Sequence, residues 1–184
     1  PYMSLKIITK SGITTIIFQG LRVSSYGSTV TTDGGSRLFV STEQPGATPS
    51  EILAVDVSSR RWRLVATLPR NQRYHCMEWH GGLLYVAGGH TRGVGGSHYL
   101  DSLHAFNEAT GLWEDLPSMP RVCCYGASGV IGNELFIASG MSGSESNTLQ
   151  IYDTAAGRGD SARLGAAPRG EGAAYVRRRA ASAA

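Results

Sequence analysis

Five histidines and three cysteines are the side chains of this sequence best suited to metal or redox chemistry. They are His75, His80, His90, His98 and His104, together with Cys76, Cys123 and Cys124. A copper or zinc site requires ligands that converge at a fixed geometry, but these histidines fall at unrelated intervals. Free cysteine commonly behaves as a small buried hydrophobic residue. We therefore expect structural roles for these residues, and no catalytic residue, metal or cofactor.

A glycine-rich stretch at residues 88–96 is the one candidate for phosphate binding. It matches neither the G-x-G-x-x-G pattern of dinucleotide sites nor a P-loop, because no lysine follows it. The same stretch is better read as a long loop that presents side chains to a partner.

Charge and hydropathy exclude two classes of partner. The chain has 184 residues and a net charge of +3. Residues 157–184 alone carry six arginines against Asp160 and Glu171, a net charge of +4, so the remainder stands at −1. A nearly neutral body does not favour nucleic acid. No run of residues reaches the roughly 18 apolar positions of a transmembrane helix, so we expect no membrane insertion.

The cysteine count points to a reducing compartment. Three cysteines, two of them adjacent at Cys123 and Cys124, make a poor disulfide framework. Disulfides form in oxidising environments, so free thiols favour a cytoplasmic location.

Self-comparison shows a repeat of 46–51 residues. An apolar pair, a turn-forming Asp or Asn and then Trp occur at residues 54–62 and again at residues 105–113, so Trp62 and Trp113 are 51 residues apart. Arg70 and Arg121 share that spacing. A second element, glycine followed by an apolar strand with an aromatic residue, places Phe39, Tyr85 and Phe136 at intervals of 46 and 51.

The repeat resembles the kelch motif over residues 32–156. The middle copy, from Gly82 to Arg121, carries nearly every feature, including Gly88–Gly89 and Trp113. A kelch repeat is about 50 residues long and forms one blade of a β-propeller. The resemblance therefore implies an all-β fold of kelch-type propeller blades, in which Trp62 and Trp113 pack one blade against the next.

The length of the chain predicts about three blades and an incomplete ring. Propellers have about 4–8 blades, whereas residues 32–156 supply two and a half repeats. We assign residues 1–31 to an N-terminal segment of undefined structure and residues 157–184 to a poorly ordered tail rich in Ala, Arg and Gly. The chain is then a fragment or a truncated product, or it completes a ring with another chain.

The loops at one end of the blades hold the candidate partner-binding residues. Arg and Tyr are enriched in interface hot spots, and two loop sets supply Arg70, Arg73, Tyr74, His90, Arg92, His98, Tyr99 and Arg121. Arg70 and Arg121 follow a turn proline and have an alternative, structural role in binding loop carbonyls. Four arginines with few acids nearby favour an acidic peptide.

The resemblance also implies a function in protein binding. Residues 74–89 are similar to BTB–kelch proteins, whose propellers bind the substrates of cullin–RING ubiquitin ligases; F-box–kelch proteins do the same with another adaptor domain. Neither adaptor fits within residues 1–31, so contact with a ligase requires a domain missing from this sequence. We therefore expect a protein or peptide partner and no enzyme activity. The alternatives are a metal-dependent oxidase on a kelch propeller and a truncated product with no independent function.

Overall fold

In the computed structural model the chain forms antiparallel sheets. The structure describes residues 3–9, 12–18, 29–42, 49–93, 96–138, 140, 148–164 and 176–178. The first two strands, β1 (Met3–Thr9) and β2 (Gly12–Phe18), pair as a hairpin. Within the described ranges no helix is long and apolar enough to cross a membrane.

Three blades follow the hairpin. The first contains β3 (Val30–Thr32), β4 (Arg37–Thr42), β5 (Glu51–Asp56) and β6 (Arg61–Thr67). The second contains β7 (Cys76–His80), β8 (Leu83–Ala87), β11 (Leu103–Asn107) and β12 (Leu112–Leu116), with a ribbon of β9 (His90–Gly93) and β10 (Gly96–Tyr99) inserted after β8. The third contains β13 (Ala127–Ile131), β14 (Glu134–Ala138), β15 (Thr148–Asp153), β16 (Arg158–Leu164) and β17 (Val176–Arg178).

The predicted all-β fold with three blades is confirmed, and the described blades do not close a ring. The third blade runs beyond the boundary that we placed at residue 156. Its strand β16 pairs with β15 from Asp153↔Arg158 to Thr148↔Arg163, inside the segment that composition assigned to the tail. Backbone pairing to a buried neighbouring strand does not depend on the apolar alternation that this stretch lacks.

The second blade buries alternate side chains against its two neighbours, because side chains alternate faces along a strand. On β8, Leu84 and Val86 pack with Phe39 and Ile52 of the first blade. The intervening Tyr85 and Ala87 pack against the third blade, in a cluster that includes Leu135, Ile137 and Tyr152. The second blade is thus buried on both faces.

A stack of two aromatic rings and a network of ion pairs join the first two blades. Phe39 and Trp79 stack with ring centroids 4.7 Å apart and planes 7° from parallel. The Arg37 guanidinium lies over both rings, 5.2 and 5.4 Å from their centroids. It also binds Asp33 at 2.7 Å and Glu108 at 2.9 Å. The bonds from Arg37 and from the backbone amides of Gly35 and Arg37 outweigh burial and hold the pKa of Asp33 below its usual value.

Glu78 connects the innermost strands of all three blades. Thr31 of β3 donates to one of its carboxylate oxygens at 3.1 Å, and Ser128 of β13 donates to the other at 2.7 Å. The Trp79 amide donates in turn to the Thr31 hydroxyl at 3.3 Å. Because Glu78 lies on β7, the second blade is hydrogen-bonded to both neighbouring blades through their innermost strands.

The two tryptophans occupy equivalent strand positions with different surroundings. Trp62 pairs with Val55 and Trp113 with Phe106, each second in its outer strand. The Trp113 indole packs at the boundary of the first two blades and donates to the Thr67 carbonyl at 3.0 Å. Trp62 remains 42% exposed, so our expectation that it packs between blades is wrong for the described structure. The face of the first blade that carries Trp62 has no described blade packed against it.

Replacing these tryptophans tests that difference. We expect Trp113→Ala to lower the free energy of unfolding by about 3 kcal/mol, the loss typical of packed aromatic side chains. Trp62→Ala, at the equivalent exposed position, should stay within about 1 kcal/mol of the parent. Urea midpoints of the two variants measure this, and equal shifts would contradict the assignment of Trp113 to a blade boundary.

The Glu78 network predicts a coupled effect of two substitutions. Hydrogen bonds to a charged group contribute about 1.5–3 kcal/mol, so Glu78→Ala should cost about 2 kcal/mol and Ser128→Ala about 1 kcal/mol. The double variant should lose clearly less than the sum of the two, because both remove the same bond. Strict additivity in urea denaturation would show that Glu78 does not join the second and third blades.

Candidate partner-binding face

The connections between blades and the β8–β11 loop meet at one end of the blades. The chain leaves β6 and β12, crosses to the next inner strand through residues 68–75 and 117–126, and leaves β8 at the same end. The candidate residues from both predicted loop sets therefore share one face. Residues 43–48 and 141–147, which include most of the loops equivalent to 89–99, lie outside the described residues.

Two glycines allow these loops to pack tightly. The Gly89 amide donates to the Cys123 carbonyl at 2.6 Å. A Cβ atom on Gly88 would lie 2.2 Å from that carbonyl oxygen, and one on Gly89 would lie 2.6 Å from the Arg73 carbonyl oxygen. Both glycines also have positive φ, +63° and +104°, which residues with side chains rarely adopt. Glycine at positions 88 and 89 therefore allows the loop backbone to lie close to the carbonyl groups of Cys123 and Arg73.

Four aromatic rings cluster on this face. Tyr74 and Tyr125 stack with centroids 4.1 Å apart, His90 lies 6.4 Å from Tyr74, and Tyr99 lies 5.6 Å from His90. We call these residues, Tyr74, His90, Tyr99 and Tyr125, the aromatic rim. The sequence predicted three of them as candidate partner-binding residues, and the structure brings those three together.

Tyr125 is the member of the aromatic rim that sequence reasoning missed. It follows Tyr74 by 51 residues, the same spacing that relates Arg70 to Arg121, and this is the signal by which the sequence could have identified it. Both tyrosines have positive φ, 56° and 59°, and the Tyr125 amide donates to the Tyr74 carbonyl at 3.0 Å. Left-handed backbone is unfavourable for residues other than glycine and is found mostly where surrounding structure or function demands it.

Tyr125 is neutral near physiological pH. Burial and the hydrogen bond with Tyr74 raise the pKa of Tyr125 to about 12. The Tyr125 side chain is nevertheless 56% exposed. A large apolar ring with a protonated hydroxyl is therefore presented to solvent on a fixed backbone.

The predicted arginines divide into different environments. Arg70 and Arg121 are exposed, and among the described residues no side-chain partner binds either guanidinium. Arg73 forms an isolated bridge with His90, in which each amide donates to the other carbonyl at 2.8–2.9 Å, and its side chain is partly buried. The Arg92 side chain lies outside the described residues, while His98 is exposed on β10.

His75, His104 and the three cysteines lie in the interior of the blades. His75 and His104 are buried, and His104 binds Asp115 at 2.6 Å. All three cysteines are buried, and none of them forms a disulfide. Burial raises the pKa of the Cys124 thiol to about 11, which keeps it protonated and unreactive. Across the described part of the chain, no three His, Cys, Asp or Glu side chains are grouped to hold a metal ion.

Comparison with known proteins agrees with this architecture. Residues 73–120 match the family model described as the Kelch motif. The chain is 31% identical over 111 residues to Kelch domain-containing protein 10 of Xenopus tropicalis, in a match that covers 51% of this chain and 26% of that protein. The match therefore spans about a quarter of the length of that relative.

A solved structure titled "Structure of YjhT" shares the fold. It matches with a TM-score of 0.62 and 14% sequence identity, covering 78% of this chain and 53% of that one. Such a likeness shows the propeller architecture. Together with the motif at residues 73–120, it confirms the kelch-type blades that the repeat predicted.

His75, beneath the aromatic rim, predicts an acid sensitivity of the fold. Burial lowers the pKa of His75 to about 4, against a smaller opposing effect of the Gln72 backbone. An unfolded histidine has a pKa near 6.5, so between these values the unfolded chain binds more protons than the folded chain. The stability that follows from keeping His75 neutral in the folded chain is fully present above about pH 6.5. It is lost progressively as the pH falls toward 4.

We expect His75→Gln to flatten the dependence of the free energy of unfolding on pH between about 6.5 and 4, where the parent should lose about 3 kcal/mol through this residue. His98→Gln, on the exposed ribbon, provides the control and should leave the parent slope unchanged. Urea denaturation at several pH values measures both. An unaltered slope in His75→Gln would show that this histidine is not the group responsible.

Proposed function

We propose that this kelch-repeat chain is a protein-binding module that recognises an acidic peptide segment through the face carrying the aromatic rim. The observation that supports this most directly is the stacked Tyr74–Tyr125 pair, which is held on left-handed backbone and exposed at Tyr125. Kelch repeats build protein-interaction propellers, and binding residues commonly lie on loops positioned by a rigid scaffold.

The chemistry of the face favours an acidic ligand with apolar side chains. Arg70 and Arg121 are exposed on the two connections that carry Tyr74 and Tyr125. Residues 69–75 and 117–125 contain no Asp or Glu, so nothing in these connections neutralises the guanidinium groups. Arginine binds carboxylates through paired charge-assisted hydrogen bonds, while tyrosine rings bury large apolar area at interfaces.

The resemblance to kelch proteins also suggests a cellular role. We propose that the bound protein is a substrate of a cullin–RING ubiquitin ligase, and that a BTB or F-box domain outside this sequence contacts the ligase. The similarity of residues 74–89 to BTB–kelch proteins supports this role. Purification of the full-length protein from cells should then recover a cullin, and a full-length reading frame without either adaptor domain would contradict it.

We further propose a cytoplasmic binding protein rather than an enzyme. Three buried cysteines without a disulfide suit a reducing compartment. Metal analysis of the purified protein separates this proposal from a kelch-type oxidase. Stoichiometric copper or zinc would favour the enzyme.

Substitutions on the rim test the binding face. We expect Arg70→Gln/Arg121→Gln to weaken binding of an acidic peptide pool at least tenfold, since each lost charge-assisted bond contributes about 1.5–3 kcal/mol. Tyr125→Ala should weaken it by a similar factor through lost ring contact. Affinity of the parent should fall as salt rises.

The matched control is Arg61→Gln/Arg158→Gln, which removes two exposed arginines at the opposite end of the blades. It should bind the pool as well as the parent does. If both double variants bind equally at low salt, the arginines of this face do not recognise the ligand. Circular dichroism confirms that each variant retains its strands.

A further inference from the structure

Two cysteines from neighbouring blades meet beneath the aromatic rim. Cys76 begins β7 of the second blade, and Cys123 lies on the connection that leads into the third blade. The two residues are 5% and 2% exposed and belong to the same buried cluster. The Cys76 thiol donates a hydrogen bond to the Cys123 sulfur, so the two side chains are in contact across the blade boundary.

A glycine leaves the space in which the two sulfur atoms meet. A Cβ atom on Gly126 would lie 2.8 Å from the Cys123 sulfur and 3.3 Å from the Cys76 sulfur. The φ of Gly126 is outside the left-handed region, so backbone conformation does not require glycine there. The residue 51 positions earlier, in the preceding connection, is His75. Both sulfur atoms therefore converge on the space that a side chain at position 126 would fill.

The hydrogen bond makes the two thiols chemically different. It lowers the pKa of Cys123, against the opposing effect of burial. The same bond raises the pKa of Cys76, and burial raises it further. Because the thiolate is the nucleophilic form of cysteine, Cys123 is the member of the pair that reacts first. Cys76 keeps its proton and lies next to the sulfur that has reacted.

We propose that Cys76 and Cys123 are a modification site, at which hydrogen peroxide converts the two thiols into a reversible disulfide. Disulfides of cytosolic proteins are usually transient and serve catalysis or redox sensing. Neither cysteine forms a disulfide in the structure, which is then the reduced form. This site goes beyond the binding function proposed above and does not depend on it.

The reaction has two steps. The Cys123 thiolate attacks one peroxide oxygen, the O–O bond breaks, and the departing hydroxide takes up the proton that Cys123 lost, which leaves a sulfenic acid on Cys123. The Cys76 sulfur then attacks the Cys123 sulfur, the S–O bond breaks, and the second hydroxide leaves with the Cys76 proton as water. The two thiols together lose two electrons, and the peroxide is reduced to two molecules of water.

Burial of the pair favours a small oxidant. Arg121 and Tyr125, two residues to either side of Cys123, are exposed, so the Cys123 thiol lies just below the surface of its connection. Hydrogen peroxide has only two heavy atoms and needs little space to reach it. The sulfur atoms of a disulfide are about 2.05 Å apart, and thiols already in contact reach this distance through a local adjustment of their side chains.

The bond would join the two segments that carry the stacked tyrosines. Tyr74 precedes Cys76 by two residues, and Tyr125 follows Cys123 by two residues. Oxidation therefore crosslinks the second blade to the connection that enters the third, directly beneath the aromatic rim.

Mass mapping of the oxidised protein tests the bond. Trypsin releases Cys76 in peptide 74–92, and both Cys123 and Cys124 in peptide 122–158. After the folded chain is treated with hydrogen peroxide and its monomer isolated, we expect these peptides to be joined, with a mass two hydrogen atoms below their sum. Dithiothreitol should separate them. Absence of the joined peptide would overturn the proposal.

The adjacent Cys124 supplies the matched control. In native buffer, Cys124→Ala should form the joined peptide to the same extent as the parent, whereas Cys123→Ala and Cys76→Ala should form none. In concentrated urea, Cys123→Ala and Cys124→Ala should link to similar extents, because an unfolded chain does not distinguish neighbouring cysteines. Similar linkage of these two variants in native buffer would overturn the proposal, since random encounter would then account for the bond.

Stability provides a second readout. A disulfide that fits the native geometry restricts the unfolded chain, so peroxide should raise the urea midpoint of Cys124→Ala by about 1 M. Dithiothreitol should reverse this rise, and Cys123→Ala should show none. An unchanged or lower midpoint in oxidised Cys124→Ala would overturn the proposal, because the bond would then distort the blade boundary. Circular dichroism confirms that each variant retains its strands before oxidation.

Discussion

The face-to-face packing of neighbouring blades is the interaction on which the rest of this structure depends. A four-stranded blade cannot bury both its faces alone, so Leu84 and Val86 need the first blade while Tyr85 and Ala87 need the third. This apolar packing supplies most of the stabilisation because it removes large side chains from water. The polar bonds of Arg37 and Glu78 then fix how the blades are aligned.

Alignment of the blades also creates the candidate binding face. Tyr74 and Tyr125 belong to successive connections, and their rings can stack only when two blades sit at the spacing set by their buried faces. The close approach of Gly88 and Gly89 to the carbonyls of Cys123 and Arg73 holds the intervening loop against both connections. A fixed scaffold therefore presents aromatic and cationic side chains with little loss of conformational entropy on binding.

The blade boundaries are not equivalent, although the repeat is. Trp113 donates to the Thr67 carbonyl across the first boundary. At the equivalent position of the third blade stands Gly159, and the second boundary is filled instead by Tyr152 packed against Tyr85.

The spacing of residues along the chain predicted the repeat, the all-β blades and the equivalence of Trp62 and Trp113, because each blade repeats one strand pattern. It also identified Tyr74, His90 and Tyr99 as residues of one face. The packing of whole blades leaves Trp62 exposed and Trp113 packed, adds β16 to the third blade, and stacks Tyr125 on Tyr74. These outcomes depend on which blade lies against each face and on contacts between residues about 50 positions apart, which no local pattern encodes.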